Sequence, residues 1–445
     1  MNRAVPGLGA SMRKPPPAAA RSDRVVFVGP MPPDPTGIAT YDVAVLDGLR
    51  RIGFLDRIQV DVIWPVRGED VPRITGHRLG IFQMGNHIEF HRDVYRLAHH
   101  MPALVTLHDV ALDDFVIELQ MLQDPLAAVA VREAAALRGR MNSPEALANE
   151  PLRDPWCAAL TRAARGIVVH SDFGRRYLES FGCRTPVFVV PHPATEGPAD
   201  VVAAEARGRE LRAPLEAVGA RTIVLAPGDM NRAKCLDQVV AAVARLDHSV
   251  HLALVGRRVT GYDPAPAIKD AGMGQRVTVA HDVSDRDFLG WIAAADVVVD
   301  LRYPHRGEVS GSLARAMQVG RPAIVSGTGT YLDLPDDTVV RVAAGEPDAA
   351  ELAAAILTLA DDPHLRARIG DSARTHVARL RDTDATAHGY AEAVDETLRT
   401  VSDPAAPARD GWARALAEMG LTESELALGH GLAYARALDS FRRSP

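Results

Sequence analysis

The chain has 445 residues, of which 47% are apolar and 24% are charged. This is the composition of an ordinary globular protein, with enough length for two hydrophobic cores. Fifty basic and 57 acidic residues give a net charge of -7, which argues against a general nucleic-acid binder. Cys157, Cys183 and Cys235 are too far apart for a disulfide framework or a clustered zinc site. We therefore expect a cytoplasmic protein in a reducing environment.

The N-terminal stretch 1–23 is basic and rich in Pro, Ala and Gly. It has no continuous apolar segment of the kind found in secretory signals, and we expect a disordered tail. Apolar runs elsewhere, such as "VVFVG" and "ADVVVDL", have the length of strands. A membrane helix needs about 20 apolar residues, so we expect no stable membrane insertion.

From Arg24 onward, short apolar runs alternate with helical stretches. The first half contains the candidate strands "RVVFVG", "IQVDVI", "LGIFQM", "ALVTLH", "RGIVVH" and "PVFVV". Runs that are apolar without alternation are typical of strands buried on both faces of a parallel sheet. A long helical region lies between Val110 and Ala164. We assign residues 24–196 to a first domain.

The Pro-rich segment "VPHPATEGPAD" indicates a connection between domains, and we expect a linker at residues 197–217. The strand pattern then restarts with "RTIVLAPG", "VHLALVG", "RVTVAHDV", "DVVVDLR", "PAIVSG" and "TVVRVA", which we assign to a second domain at 218–400. Residues 401–445 indicate C-terminal helices. The predicted fold class is α/β, with two Rossmann-like, doubly wound domains facing a central cleft. Ligands of such sheets bind at the carboxyl ends of the strands.

The strongest chemical signal is "RYPHRGEVSGSLARAMQVGRPAIVSG", which follows a predicted strand. Ser310 is a good helix N-cap, and Gly320 is a typical helix end. Glu308 therefore lies on a loop just before a helix whose free N–H groups can hold a phosphate. The alternative is a surface loop with a solvated glutamate.

A second strand–loop–helix signal is "IVLAPGDMNRAKCLDQVVAAVARL". Its glycine spacing is not that of a Walker loop. Lys234 stands just before the helix and can serve as a point charge for a diphosphate. An ordinary solvated lysine is a serious alternative.

Polar residues also follow three predicted strands of the first half. Gly37 precedes a helix that opens near Ala39, His108 and Asp109 end the strand "LVTLH", and Asn86 and His91 lie in "FQMGNHIEFH". Each histidine taken alone is more often structural. Together, at three strand ends, they indicate a ligand site.

A catalytic metal is not expected. His87, Glu89 and His91 in "HIEFH" place the glutamate in the wrong position for a zinc-binding HExxH helix. The Asp285–Asp287 pair follows Ser284 at the start of a helix, which is typical of a cap.

The order of several short segments along the chain indicates a known family. These segments are "TGIATY", "FQMGN", "VTLHD", "GIVVHSDFGRRYL", "VVPHP", "MNRAKCLDQVVAAV", "LALVG", "DLRYPHRGEVSG" and "GRPAIVSG". In that order the chain resembles the family-4 retaining glycosyltransferases of the GT-B fold, from about Arg24 to Arg399. The resemblance implies transfer of a sugar from a nucleotide diphosphate sugar with retention at the anomeric carbon. It also implies a small-molecule or glycan acceptor and no cofactor. The family's nucleotide lies mainly on the second domain and its acceptor on the first.

Carried over by position, the resemblance implies that Glu308 and His108 are catalytic residues that contact the transferred sugar. It implies donor binding by Gly37, Ile38, Asn231, Lys234, Val283, Arg302, Val309, Ser310, Gly311 and Arg315. Acceptor-side residues would be Tyr41, Asn86, His91 and Asp109. No metal ligand is implied, and a homodimer is left open.

Two positions depart from the family pattern. Asp229 stands where an arginine is common, and Arg315 stands where a second glutamate is usual. Both should lie at the mouths of strand–helix loops around the nucleotide. One interpretation is that they face each other or share the ligand with exchanged roles; the alternative is two unrelated charges. The sequence leaves open three other functions, namely a pseudo-glycosyltransferase, a nucleotide-sugar epimerase and a non-catalytic sugar-nucleotide binding protein.

Overall fold

The computed structural model describes residues 24–34, 36–193, 197–380 and 383–401. The predicted tail at 1–23 and nearly all of the predicted C-terminal helices at 401–445 lie outside these residues. No helix in the described ranges is long and apolar enough to cross a membrane.

The first domain is built on a sheet of six parallel strands in the order β2-β1-β3-β4-β5-β6. The strands are β1 (Arg24–Val28), β2 (Gln59–Val62), β3 (Leu79–Met84), β4 (Ala103–Leu107), β5 (Gly166–Val169) and β6 (Val187–Val189). Its helices are α1 (Gly37–Arg51), α2 (Phe54–Arg57), α3 (Val71–Thr75), α4 (Ile88–Ala98), α5 (Asp113–Met121), α6 (Pro125–Arg138), α7 (Pro144–Ala148), α8 (Ala158–Ala163) and α9 (Asp172–Ser180). Short 3-10 helices cover Gly68–Asp70 and Glu150–Leu152.

The second sheet also has six parallel strands, in the order β12-β11-β10-β7-β8-β9. They are β7 (Thr222–Pro227), β8 (Val250–Gly256), β9 (Val277–His281), β10 (Val297–Asp300), β11 (Ala323–Ser326) and β12 (Val340–Val342). Its helices are α10 (Pro198–Ala217), α11 (Leu236–Ala244), α12 (Ala265–Asp270), α13 (Asp285–Ala294), α14 (Gly311–Val319), α15 (Ala349–Asp361) and α16 (Pro363–Leu380), followed by α17 (Thr383–Thr400). Arg232–Lys234 and Gly329–Asp333 form 3-10 helices.

Every strand predicted from an apolar run is present, which confirms the predicted fold class. The central strands β3, β4, β5, β7, β8, β10 and β11 are buried along their whole length. Helices cover both faces of each sheet, so these strands need no polar face. Ligands can therefore reach each sheet at the ends of its strands but not at its faces.

Two parts of the predicted domain organisation are wrong. Residues 198–217, expected in a linker, form the 20-residue helix α10, which packs closely on α13 through Gly208 against Ala293 and Ala294. The last described helix, α17, was assigned to the second domain but packs on the first. Its Tyr390 and Val394 share a core with Phe27 and Val45, so the chain crosses back over the domain boundary.

Candidate functional site

The second sheet reverses its strand order between β7 and β10, and such a switch point is where ligands of open α/β sheets bind. The loop after β7 carries Lys234, and the loop after β10 carries Arg302 and Glu308. The helix α14 begins directly behind the second loop. Lys234, Arg302 and the start of α14 are therefore brought to one crevice by the order of the strands.

Lys234 and Asp300 form a buried ion pair at this switch point. Lys234 is 5% exposed and Asp300 is fully buried; the ammonium donates to an Asp300 carboxylate oxygen and to the carbonyl of Pro227. Burial together with the charge of Arg302 lowers the pKa of Lys234 to about 8. An ammonium has three donors, and two are used by protein groups within the described chain. The lysine is a fixed charge rather than the solvated side chain that was the alternative.

Asp300 joins the two loops and was missed by the sequence analysis. Its carboxylate also accepts from Arg302 Nη1 at 3.2 Å and from the Tyr331 hydroxyl at 2.9 Å. Burial alone would raise the pKa of this carboxyl, but the charges of Lys234 and Arg302 hold it below its ordinary value. The signal for it was present in the sequence, as a carboxylate that closes an otherwise apolar buried strand.

Glu308 is held in one orientation by two donors. Arg302 Nε donates to Oε1 at 2.9 Å, and the backbone N–H of Arg306 donates to Oε2 at 2.7 Å. The Arg302 guanidinium thus links Glu308 to the buried Asp300. These contacts give Arg302 the task of positioning both carboxylates, in addition to any contact with a ligand.

The start of α14 is built as the sequence predicts. Ser310 caps the helix by accepting from the N–H of Leu313 at 3.2 Å, and α14 ends at Gly320 with a left-handed backbone. The first N–H groups of a helix have no acceptor within the helix, and an ideal Cβ on Gly311 would meet no atom within 4 Å. Gly311 is exposed, and the exposed start of a helix suits an anion. Part-buried Val309 precedes the cap.

The remaining donor-binding predictions fall into two groups. Gly37 and Ile38 begin α1 in the first domain, where Thr36 caps the helix, and an ideal Cβ on Gly37 would meet no atom within 4 Å. Asn231 and Val283 have local packing roles. Asn231 accepts from the Lys234 N–H at 3.2 Å, which shapes the lysine loop, and Val283 packs on the core at the end of β9.

The predicted pairing of Asp229 with Arg315 is wrong. Asp229 forms an ion pair with Arg257 at 2.6 Å. Arg315 forms one with Asp285 at 3.3 Å and lies over the ring of Phe288. Since α14 directs Arg315 towards the start of α13, the two departures from the family pattern belong to separate ion pairs.

A cluster of rings closes the strand ends of the first domain. His108, His170 and His192 follow β4, β5 and β6, and each ring lies 4.7–4.9 Å from the ring of Tyr41, centroid to centroid. Both nitrogens of His108 are engaged, Nε2 with Gln83 Oε1 at 3.0 Å and Nδ1 with His170 Nε2 at 3.2 Å. Burial and the neighbouring histidines hold the pKa of His108 well below its ordinary value. This ring is neutral at physiological pH.

Two residues predicted on the acceptor side lie too deep for direct contact with an acceptor. Tyr41 is fully buried beneath the histidines, and His91 is 1% exposed with Nδ1 facing the carbonyl of Gln83 at 3.1 Å. Burial lowers the pKa of His91 to about 3. Tyr41 and His91 therefore pack behind the residues that line the cleft. His170 and His192 lie inside segments that carry the family resemblance but were not singled out.

Asn86 and Asp109 are joined beside this wall. Asp109 accepts from the Asn86 N–H at 3.0 Å, and the Asn86 side chain donates to Asp113 and accepts from the N–H of Phe115. Burial and the charge of Glu308, on the opposite domain, raise the pKa of Asp109 to about 7. The two carboxyl groups are thus electrostatic neighbours across the cleft.

Within the described residues, no group of three or more His, Cys, Asp or Glu side chains is arranged to hold a metal ion. At the switch point Lys234 and Arg302 are paired with Asp300 and Glu308, and the start of α14 adds N–H donors. This set of donors suits an anionic ligand.

Comparison with known proteins agrees with this geometry. Residues 221–362, which lie in the second domain, match the family model described as "Glycosyl transferases group 1". The matched region contains Lys234, Asp300, Arg302 and Glu308. No protein of curated function is significantly similar to the sequence.

Several solved structures share the fold across both domains. HepE of Anabaena, solved in complex with UDP and glucose, has a TM-score of 0.59 at 15% identity, over 84% of this chain and 100% of that one. Sucrose-phosphate synthase of Thermosynechococcus elongatus has a TM-score of 0.59 at 18% identity, over 85% and 100%. A glycosyltransferase of Rickettsia africae has a TM-score of 0.57 at 13% identity, over 85% and 99%. The fold is therefore that of the GT-B glycosyltransferases.

Proposed function

We propose that the protein is a glycosyltransferase that moves a sugar from a nucleotide diphosphate sugar to a small-molecule or glycan acceptor. The observation that carries this proposal is the β7/β10 switch point, where Lys234, Arg302 and the open start of α14 converge. A departing nucleoside diphosphate gains negative charge as its bond to the sugar breaks. Fixed cations and a helix N-terminus stabilise such charge without reorganising.

The roles of the residues follow from their positions. Lys234 and the N–H groups at the start of α14 would bind the diphosphate, and Glu308 would hydrogen-bond the hydroxyls of the transferred sugar. The His108 side of the first domain would cover that sugar, and the acceptor would enter along the same domain. Retention at the anomeric carbon is proposed from the family-4 resemblance of the Glu308 loop.

We also propose that no metal ion takes part. Lys234 and the N–H groups at the start of α14 would donate to the diphosphate where an ion would otherwise bind it. Turnover should persist in an excess of chelator. Loss of activity with chelator, restored by added divalent metal, would contradict this part of the proposal.

The donor is best tested first with uridine diphosphate sugars, because HepE was solved with UDP and UDP-glucose. A panel of nucleotide sugars scored by thermal shift should identify the donor. Mass spectrometry with pools of acceptors should then detect a product heavier by one sugar. A protein that is stabilised by no nucleotide sugar and forms no product would rule out the proposed function.

A further inference from the structure

The loop that carries Glu308 is held by the opposite domain. Asn149, between α7 and the Glu150–Leu152 turn of the first domain, donates from Nδ2 to the carbonyl of His305 at 2.6 Å. Its Oδ1 accepts from the His305 N–H at 3.2 Å. One buried amide side chain therefore satisfies both backbone polar groups of a residue three positions before Glu308.

The next residue is fixed from the same side. The carbonyl of Arg306 accepts from the N–H groups of Val110 and Ala111 at 3.2 and 3.1 Å. The Arg306 guanidinium bonds Asp113 at 2.9 and 3.0 Å. Gly307 has a φ of +75°, and a Cβ there would collide with Val110, so the loop lies directly against the first domain.

These contacts reach Glu308 through one hydrogen bond. The Arg306 N–H donates to Glu308 Oε2 at 2.7 Å, so the peptide plane between His305 and Arg306 sets where that oxygen lies. Asn149 holds the backbone of His305 on one side of this plane, and Val110 and Ala111 hold Arg306 on the other.

We propose that Asn149 is a positioning residue for the reaction, which holds the Glu308 loop in its working conformation from the acceptor domain. The inference rests on the proposed function and deepens it, because it makes the sugar site a product of both domains. An amide is the side chain suited to this task, since it donates and accepts at once. A carboxylate cannot donate to the His305 carbonyl, and an alanine leaves both buried backbone groups unpaired.

The role of Asn149 is tested by comparing Asn149→Ala with Asn142→Ala. Asn142 lies in the same segment but is exposed, so its replacement controls for a change of asparagine in this region. Asn149→Ala should lower kcat by about 10–100-fold, since small displacements of a catalytic group cost this much. The KM for the donor and the affinity for UDP should stay within about twofold of wild type, because the diphosphate residues lie on the second domain. Asn149→Ser, whose hydroxyl also donates and accepts, should give an intermediate kcat and replaces the alanine variant if that one does not fold.

Hydrogen–deuterium exchange of the peptide spanning residues 303–309 supplies a readout that needs no activity. It should be faster in Asn149→Ala than in wild type and unchanged in Asn142→Ala. Unchanged exchange, an unchanged kcat, or an equal loss of kcat and UDP affinity would overturn the proposal. A wild-type protein that turns over no nucleotide sugar would instead refute the proposed function, while the exchange result still decides whether Asn149 holds the loop.

Discussion

Lys234 and Asp300 form a buried ion pair that joins the ends of β7 and β10 beneath the predicted diphosphate site. The pair ties a residue expected to bind the donor to a residue that holds Arg302, and through it Glu308. We therefore expect a variant at Lys234 to change both the affinity for the donor and the stability of the protein.

Lys234→Ala should destabilise the protein by about 3–5 kcal/mol, since it leaves a buried carboxylate without its main partner. The double variant Lys234→Met with Asp300→Asn removes both charges and should be more stable than Lys234→Ala alone. Urea denaturation of the three proteins measures this. Equal stability of the single and double variants would mean that Asp300 does not depend on the lysine.

Donor affinity should fall as the pH rises above about 8. Burial lowers the pKa of Lys234 to about 8 in the free protein, so the ammonium that should hold the diphosphate is lost in that range. The affinity for UDP, measured by calorimetry between about pH 7 and 10, tests this expectation. The Lys234→Met, Asp300→Asn variant should bind weakly at every pH and show no such decline.

Asp109→Asn should become increasingly stabilising, relative to wild type, as the pH rises from about 5 to 8. The ordinary pKa of an aspartate is about 3.9, whereas burial and Glu308 raise that of Asp109 to about 7. Between these values the folded protein keeps a proton that the unfolded chain has lost, so stability from this group is lost as the pH rises. Melting temperatures of both proteins across the range measure the effect. A constant difference between them would show that Asp109 ionises normally.

Glu308→Gln should leave folding nearly intact but lower turnover by about 10²–10³-fold, the range observed for loss of one preorganised polar contact. The amide oxygen can still accept from Arg302 or Arg306, so a large fall in melting temperature is not expected. Turnover close to that of wild type would remove Glu308 from the catalytic residues.

Asp229→Ala and Arg315→Ala should have additive effects on UDP affinity and stability, within about 0.5 kcal/mol. Asp229 is paired with Arg257, and Arg315 with Asp285, so each charge has an opposite charge of its own. A double-mutant cycle provides the test. A coupling energy larger than about 0.5 kcal/mol would instead indicate that Asp229 and Arg315 interact directly.

The sequence predicts the strands and the loops of this site because both depend on local patterns. Parallel strands buried on both faces must be apolar throughout, and the Ser310 cap and the Gly320 end mark α14 unambiguously. The sequence predicts a linker at residues 197–217 because the Pro-rich segment "VPHPATEGPAD" lies at its start, but α10 is rich in Ala, Glu, Arg and Leu, which are good helix formers. Its packing against α13 is a contact that local sequence does not record.

The missed site residues have the same explanation. Asn149 meets His305 across 156 positions of sequence, and no local pattern records which backbone a loop asparagine will contact. Tyr41 is expected on the acceptor side only because the family resemblance implies it. Its exposure depends on His108, His170 and His192, which the fold brings over it from three separate strands.

The most direct test of the proposed function follows an isotopically labelled sugar. The protein is incubated with the donor that stabilises it and with acceptor pools, and the products are separated and measured by mass spectrometry. We expect the label on an acceptor, with one nucleoside diphosphate released for each sugar transferred, and we expect Glu308→Gln nearly to abolish both. Label that stays in the original nucleotide sugar, or that moves only into an isomeric nucleotide sugar, would contradict this expectation and point to a binding protein or an epimerase.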